Sequence, residues 1–280
     1  NMMAFLRSTV HFVWLLLTVV PYALFILGMA AAGVKGERLY WLAAKWLTMA
    51  IQSARLLVGI QYRITGMENL PTASDRTAGV VLLSNYNGVY PGQPEWDPFL
   101  KVLDDRQAVC FIHPNNHPIA PQIRKGFCDG IGNFLGEFLF DTTRAGLNIL
   151  FNDVLDRYPN IRFILSHAGG TLPFFSWRLA EIMERQMTEE PWLSQYPSPF
   201  MTRFAGKITK ELVLSKVRRF WVDTALSAGP QSIGSVLQAI DHDKILFGSD
   251  WPYCPEIMAD DMIRTLDQNP LLDDAMRQRI

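Results

Sequence analysis

The chain has 280 residues, 49% hydrophobic and 19% charged, with a formal net charge of −1. That length allows one large domain or two small ones, and the charge gives no reason to expect a nucleic-acid partner. Cys110, Cys128 and Cys254 are too few for a disulfide framework, which fits a reducing compartment. The charge is unevenly placed. Through residue 63 the chain carries Arg7, Lys35, Arg38, Lys45, Arg55 and Arg63 against Glu37 alone. Basic residues around apolar segments point to anionic lipid and to a cytoplasmic side.

Phe12 to Val34 holds no charged residue and is long enough to cross a bilayer as a helix, with Pro21 as a tolerated kink. Its Ala30-Ala31-Ala32-Gly33 end also suits a signal-peptide cleavage site. Leu39 to Ile60 reads as a second helix. Lys45, Thr48, Gln52 and Arg55 recur at spacings of three and four, one narrow polar stripe on a broad apolar surface. Trp41 and Trp46 add interface anchors, so this helix is expected to lie on the membrane or pack on the first. Gln61–Ile64 alternates like a short strand, and residues 71–79 form a turn-rich connector.

From Gly79 the pattern changes. Buried-strand runs recur at Val80–Leu83, Ala108–Ile112, Phe163–Leu165, Phe220–Val222 and Ile245–Phe247. Helical stretches lie between them, at Asn133–Tyr158, Pro173–Met187 and Pro230–Ile240. This alternation predicts βα units and a parallel sheet. Residues 188–206, rich in Pro and aromatics, are expected to form a surface excursion or lid.

Three of the strands end on a metal-ligand residue type. His113-Pro114 follows the second, Ser166-His167 the third, and Gly248-Ser249-Asp250 the fifth. Two imidazoles and a carboxylate at the C-terminal ends of parallel strands would meet on one rim of an α/β barrel, and His with Asp suits zinc. Each alone has a plainer explanation, such as a core histidine or a Gly-Ser-Asp turn or N-cap. His117 and His242 do not sit at strand ends. His242, between two aspartates, reads as a solvated turn residue, and His11 as an interfacial one.

Two resemblances follow from these stretches. The basic start, apolar helix, amphipathic helix, GIQYRITGMENLP and GVVLLSN resemble the N-terminus of bacterial 1-acylglycerol-3-phosphate acyltransferases. Those enzymes place a His-x4-Asp pair just after this last strand, where the chain reads Ser84-Asn85-Tyr86-Asn87-Gly88. Only the family's membrane-docking portion is matched. CFIHP, EFLFDTTRA, RYPNIRFILSHAGGTLPF, VDTALSA and ILFGSDWPY resemble the C-terminal part of the amidohydrolase-related decarboxylases. That group acts on aminocarboxymuconate semialdehyde, γ-resorcylate and 6-methylsalicylate.

The second resemblance implies a (β/α)8 TIM-type barrel with a divalent metal, usually zinc. It implies His113 and Asp250 as metal ligands and His167 as the catalytic histidine. Arg178 is implied as the residue that meets the substrate carboxylate, in some members across a dimer interface. The family's first-strand His-x-His or Glu-x-His is missing from this chain, and Val80–Leu83 corresponds to the fourth barrel strand. The expectation is therefore α/β, an incomplete barrel of strands four to eight over residues 79–280. Membrane-associated helices over 1–60 and a strand and linker over 61–78 precede it. The expected activity is a zinc-dependent decarboxylase or hydrolase of small, aromatic carboxylates, impaired by the missing ligands. Membrane lipid and a second copy in a homodimer are the expected partners, with the catalytic part on the cytoplasmic side. An acyltransferase relative and a non-catalytic remnant are the alternatives.

Overall fold

The computed structural model describes residues 2–34, 37–60, 79–119, 132–188 and 198–280. The chain divides into two units, Asn1–Leu70 and Pro71–Ile280. The strand expected at Gln61–Ile64, the connector at 71–78 and residues 189–197 of the expected insertion lie outside the described residues.

The first unit is a helical hairpin. Helix α1 spans Met2–Ala31 with Pro21 inside it. Helix α2 spans Glu37–Ser53 and runs into a π-helical turn, Ala54–Val58, closed by left-handed Gly59. Polar groups clasp the two helices together. Arg7 Nε donates to the Leu57 carbonyl at 2.8 Å, and Tyr22 OH donates to the Leu42 carbonyl at 2.8 Å. Trp46 Nε1 donates to Thr18 Oγ1 at 3.3 Å, and His11 Nε2 lies 3.0 Å from Ser53 Oγ. Apolar side chains face outward instead, among them Phe5, Phe12, Leu17, Leu24, Leu47 and Leu56. The stripe of Lys45, Thr48, Gln52 and Arg55 is exposed. Phe5–Ala31 is long and apolar enough to cross a membrane.

The second unit is built on a parallel sheet whose five strands fall where the apolar runs predicted. They are β1 (Gly79–Leu83), β2 (Val109–His113), β3 (Arg162–Leu165), β4 (Trp221–Asp223) and β5 (Ile245–Leu246). They pair in sequence order. Registers such as Val81↔Phe111, Phe111↔Ile164, Ile164↔Trp221 and Asp223↔Leu246 put residues of like parity on one face. Leu82, Cys110, Ile112, Phe163, Leu165, Val222 and Ile245 point into the helices and are buried. Val81, Phe111, Ile164 and Leu246 point the other way and are exposed or half-buried.

Helices α3 (Asp97–Asp105), α4 (Phe138–Phe151) and α5 (Val154–Arg157) come first in the helical layer. The helix expected over Asn133–Tyr158 is broken. It begins as a π-helical turn, Asn133–Glu137, and pauses at Asp153, whose φ of 57° is left-handed. Helix α6 (Leu172–Thr188) follows β3. Helices α7 (Pro199–Arg203) and α8 (Lys210–Val217) start on Ser198 and Thr209, whose side chains accept backbone N–H bonds as N-caps. Helices α9 (Pro230–Ala239), α10 (Glu256–Asp267) and α11 (Asp274–Arg279) complete the layer. At its described end the expected excursion is mostly exposed but anchored at two residues. Phe200 and Met201 are buried in a cluster with Ala180, Met183, Ile208 and Val213, because two adjacent large apolar side chains on a short helix gain more from burial than from water.

Candidate metal centre

His113 is the last residue of β2. Alternation along the strand sends Val109, Phe111 and His113 to the open face and Cys110 and Ile112 to the helices. Its Nδ1 lies 2.9 Å from the Pro114 carbonyl. A carbonyl only accepts, so Nδ1 carries the proton and Nε2 keeps a free lone pair. The loop after His113 is tied down by Asp141 of α4, a buried carboxylate. Ser84 Oγ–H and the Tyr90 hydroxyl donate to it, and so does Asn85 Nδ2 at 2.8 Å. The Asn115 N–H donates to Ser84 Oγ at 2.8 Å, which joins that loop to the same knot. Burial and the Asp141 charge push the Tyr90 phenol upward, so it stays a donor.

His167 lies just past β3 in a reversed piece of backbone. His167 (φ 55°, ψ 57°) and Ala168 (φ 56°, ψ 25°) are both left-handed, and Gly169 and Gly170 follow at φ 74° and 65°. Gly170 is required twice over. Its φ disfavours any side chain, and a Cβ there would sit 2.3 Å from the Leu139 carbonyl. His167 Nδ1–H donates to the Ala225 carbonyl at 3.1 Å, so its Nε2 too is left as a lone pair. Asp250 follows β5 with a φ of 58°.

The three residues converge. Ligand atoms of His113, His167 and Asp250 all lie within 4.8 Å of one another. His113 Nε2 is 4.0 Å from an Asp250 carboxylate oxygen. The two imidazoles meet edge to face at 6.0 Å. Two imidazole nitrogens and a carboxylate, with outer bonds that fix both rings, are a donor set that fits a divalent cation. A cavity of about 530 Å³ opens beside them, lined by Phe134, Leu135, Phe138, Leu226 and Tyr253. A second, of about 420 Å³, runs along the open sheet face past Phe111, Ile164, Asp223 and Leu246.

The expected strand-end residues thus meet, while Arg178 does not join them. It is exposed on α6 and lines neither cavity, next to the exposed Phe174 and Trp177. His242 is exposed in a turn, as expected. Asp141 and Asp223 were not among the expected site residues. Asp223 also ends an apolar strand run, the same signal that marked His113 and Asp250. It is 5% exposed. Burial raises its carboxyl, against the pull of His167 and of two backbone N–H groups, and the Asp250 charge raises it further.

A family model described as amidohydrolase matches residues 27–280. The 6-methylsalicylic acid decarboxylase of Penicillium expansum is 33% identical over 209 residues, covering 72% of this chain and 55% of that protein. A solved structure of an amidohydrolase II superposes with a TM-score of 0.58 at 27% identity, covering 72% of this chain and 58% of the other. The 5-carboxyvanillate decarboxylase of Novosphingobium aromaticivorans DSM 12444 was solved with manganese and 4-hydroxy-3-methoxy-5-nitrobenzoic acid. It superposes with a TM-score of 0.56 at 19% identity, covering 72% of this chain and 53% of that one. The chain spans about half the length of the curated relatives it matches.

Proposed function

The chain belongs to the amidohydrolase family, and on that premise we propose that residues 79–280 form a metal-dependent decarboxylase centre for a small aromatic carboxylate. The observation that carries this is the convergence of His113, His167 and Asp250 at the C-terminal rim of the sheet. The kinship to a 6-methylsalicylic acid decarboxylase favours carbon–carbon cleavage over hydrolysis. A cavity walled by Phe134, Phe138 and Tyr253 suits a flat ring.

His113 Nε2 and the Asp250 carboxylate would hold the cation, zinc or manganese. When bound, it would supply positive charge for the substrate carboxylate and a neighbouring oxygen. His167, its Nδ1–H fixed on the Ala225 carbonyl, would take up a proton on the Nε2 lone pair and pass it to the ring carbon. The ring–carboxylate bond breaks, its electron pair stays on the ring carbon and takes that proton, and carbon dioxide leaves. Arg178 would meet a substrate carboxylate only from a second copy. The exposed Phe174 and Trp177 beside it are apolar surface such a contact would cover.

The five strands are read as strands four to eight of a barrel, which the half-length coverage of the relatives supports. The α1–α2 hairpin, with polar clasps inside and apolar side chains outside, suits a lipid environment on the cytoplasmic side. Acyl transfer gains no support. After β1 the chain offers Ser84 and Asn85, both spent on Asp141.

Metal analysis of the purified full chain tests this reading, together with carbon dioxide release from 6-methylsalicylate. Stoichiometric divalent metal should be present and should be lost in His113→Ala and in Asp250→Ala. His167→Ala should keep metal and lose turnover. Absence of bound metal in the parent protein would sink the proposal, and loss of metal in His167→Ala would make His167 a ligand.

A further inference from the structure

The left-handed turn at His167 needs an explanation. Two consecutive residues with side chains hold a conformation that such residues rarely adopt. Asp223, the last residue of β4, lies beneath them. One of its carboxylate oxygens accepts the His167 N–H at 2.7 Å and the Ala225 N–H at 3.2 Å. The Ala225 carbonyl in turn accepts His167 Nδ1–H at 3.1 Å. The result is a closed circuit that fixes both the backbone and the ring of His167.

The other carboxylate oxygen faces β5. A Cβ on Gly248 would sit 2.8 Å from it, and Gly248 is not left-handed, so the carboxylate alone demands glycine there. The Gly248 N–H donates to Thr224 Oγ1 at 3.2 Å. Asp250 comes two residues later. Asp223 is therefore wedged between the two arms that carry His167 and Asp250, and strand register makes this unavoidable, since Asp223 pairs with Leu246.

We propose that Asp223 is a positioning residue that sets His167 and Asp250 at their mutual distance while touching neither metal nor substrate. This rests on the reading of the cluster as a metal centre. The test uses the full chain with Co²⁺ as probe, following affinity and the visible ligand-field spectrum. The His167 imidazole is observed by nitrogen-15 NMR without metal. Asp223→Ala should weaken Co²⁺ binding at least tenfold, alter the spectrum and erase the protected Nδ1–H signal of His167. Asp223→Asn keeps an oxygen for the two N–H donors and should restore the signal and bring affinity back to within about threefold. Gly248→Ala, which presses on the carboxylate from the other side, should shift the spectrum.

Wild-type affinity, spectrum and Nδ1–H signal in Asp223→Ala would overturn the proposal. If Asp223→Ala does not fold, an unchanged spectrum in Gly248→Ala does so instead. If the parent chain binds no Co²⁺, the metal reading fails, and the His167 signal in the metal-free variants still decides whether Asp223 holds the ring.

Discussion

On the helix side of the sheet, Leu82, Ile112, Phe163, Leu165 and Val222 are at most 5% exposed. On the other side Val81 is 71% exposed, and Phe111, Ile164 and Leu246 are half-buried. Neighbouring residues of one strand therefore live in different solvents. Parallel sheets ordinarily bury both faces, so the open face forgoes hydrophobic stabilisation worth about 25 cal/mol per Å² of apolar surface. His113 ends on that face, and the cavity along it reaches His167 and Asp250 beyond the strand ends. Cohesion and chemistry are divided between opposite faces of the same five strands.

Urea unfolding of single variants can break or sharpen this division. Phe163→Ala, on the helix face, should cost about 3–5 kcal/mol. Ile164→Ala, one residue on and pointing the other way, should cost about 1 kcal/mol or less. Equal losses would show that the open face is covered in solution. Asp141→Ala comes next. It strips the acceptor from Ser84, Asn85 and Tyr90, and buried donors left unsatisfied should cost on the order of 3 kcal/mol. Because that knot also holds Asn115, the variant should bind Co²⁺ more weakly than its stability loss alone would predict.

The smallest effect is expected at Asp156 of α5, which pairs with Lys216 and Arg219 across the helical layer. Burial raises its carboxyl, but those two cations outweigh it and hold the group below the ordinary carboxylate range. Its folded value lies below its unfolded one. Its stabilisation is therefore present above an ordinary aspartate value of about 3.9 and is lost as the pH falls below it. Asp156→Asn should flatten the acid limb of the stability curve and cost under about 1 kcal/mol at neutral pH. A steeper acid limb in the variant would contradict that sign.

The strands were legible because each is an apolar run bounded by polar residues, and burial on a parallel sheet needs little else. His113, His167 and Asp250 were legible for the same reason, since a polar residue closing such a run stands out. Asp223 closes one too, yet its work is done through the backbone of a residue 56 positions earlier, and no local pattern encodes that pairing. Helices α3, α8, α10 and α11 were not singled out, although α10 carries a stripe of Ala259, Met262 and Leu266 that the structure buries. The burial of Phe200 and Met201 was hidden by a Pro-rich context that reads as surface.

The separation between His167 and Asp223 also orders events in time. Between them lies the whole crossover of α6, α7 and α8. Closing so long a loop is entropically costly, and contacts of this range form late. The bond from the His167 N–H to Asp223 can form only once β4 has docked beside β3. A nascent chain stalled before residue 223 would hold His113 and His167 with no latch and no Asp250. On the proposed reading, a complete metal site would require these last strands to be in place.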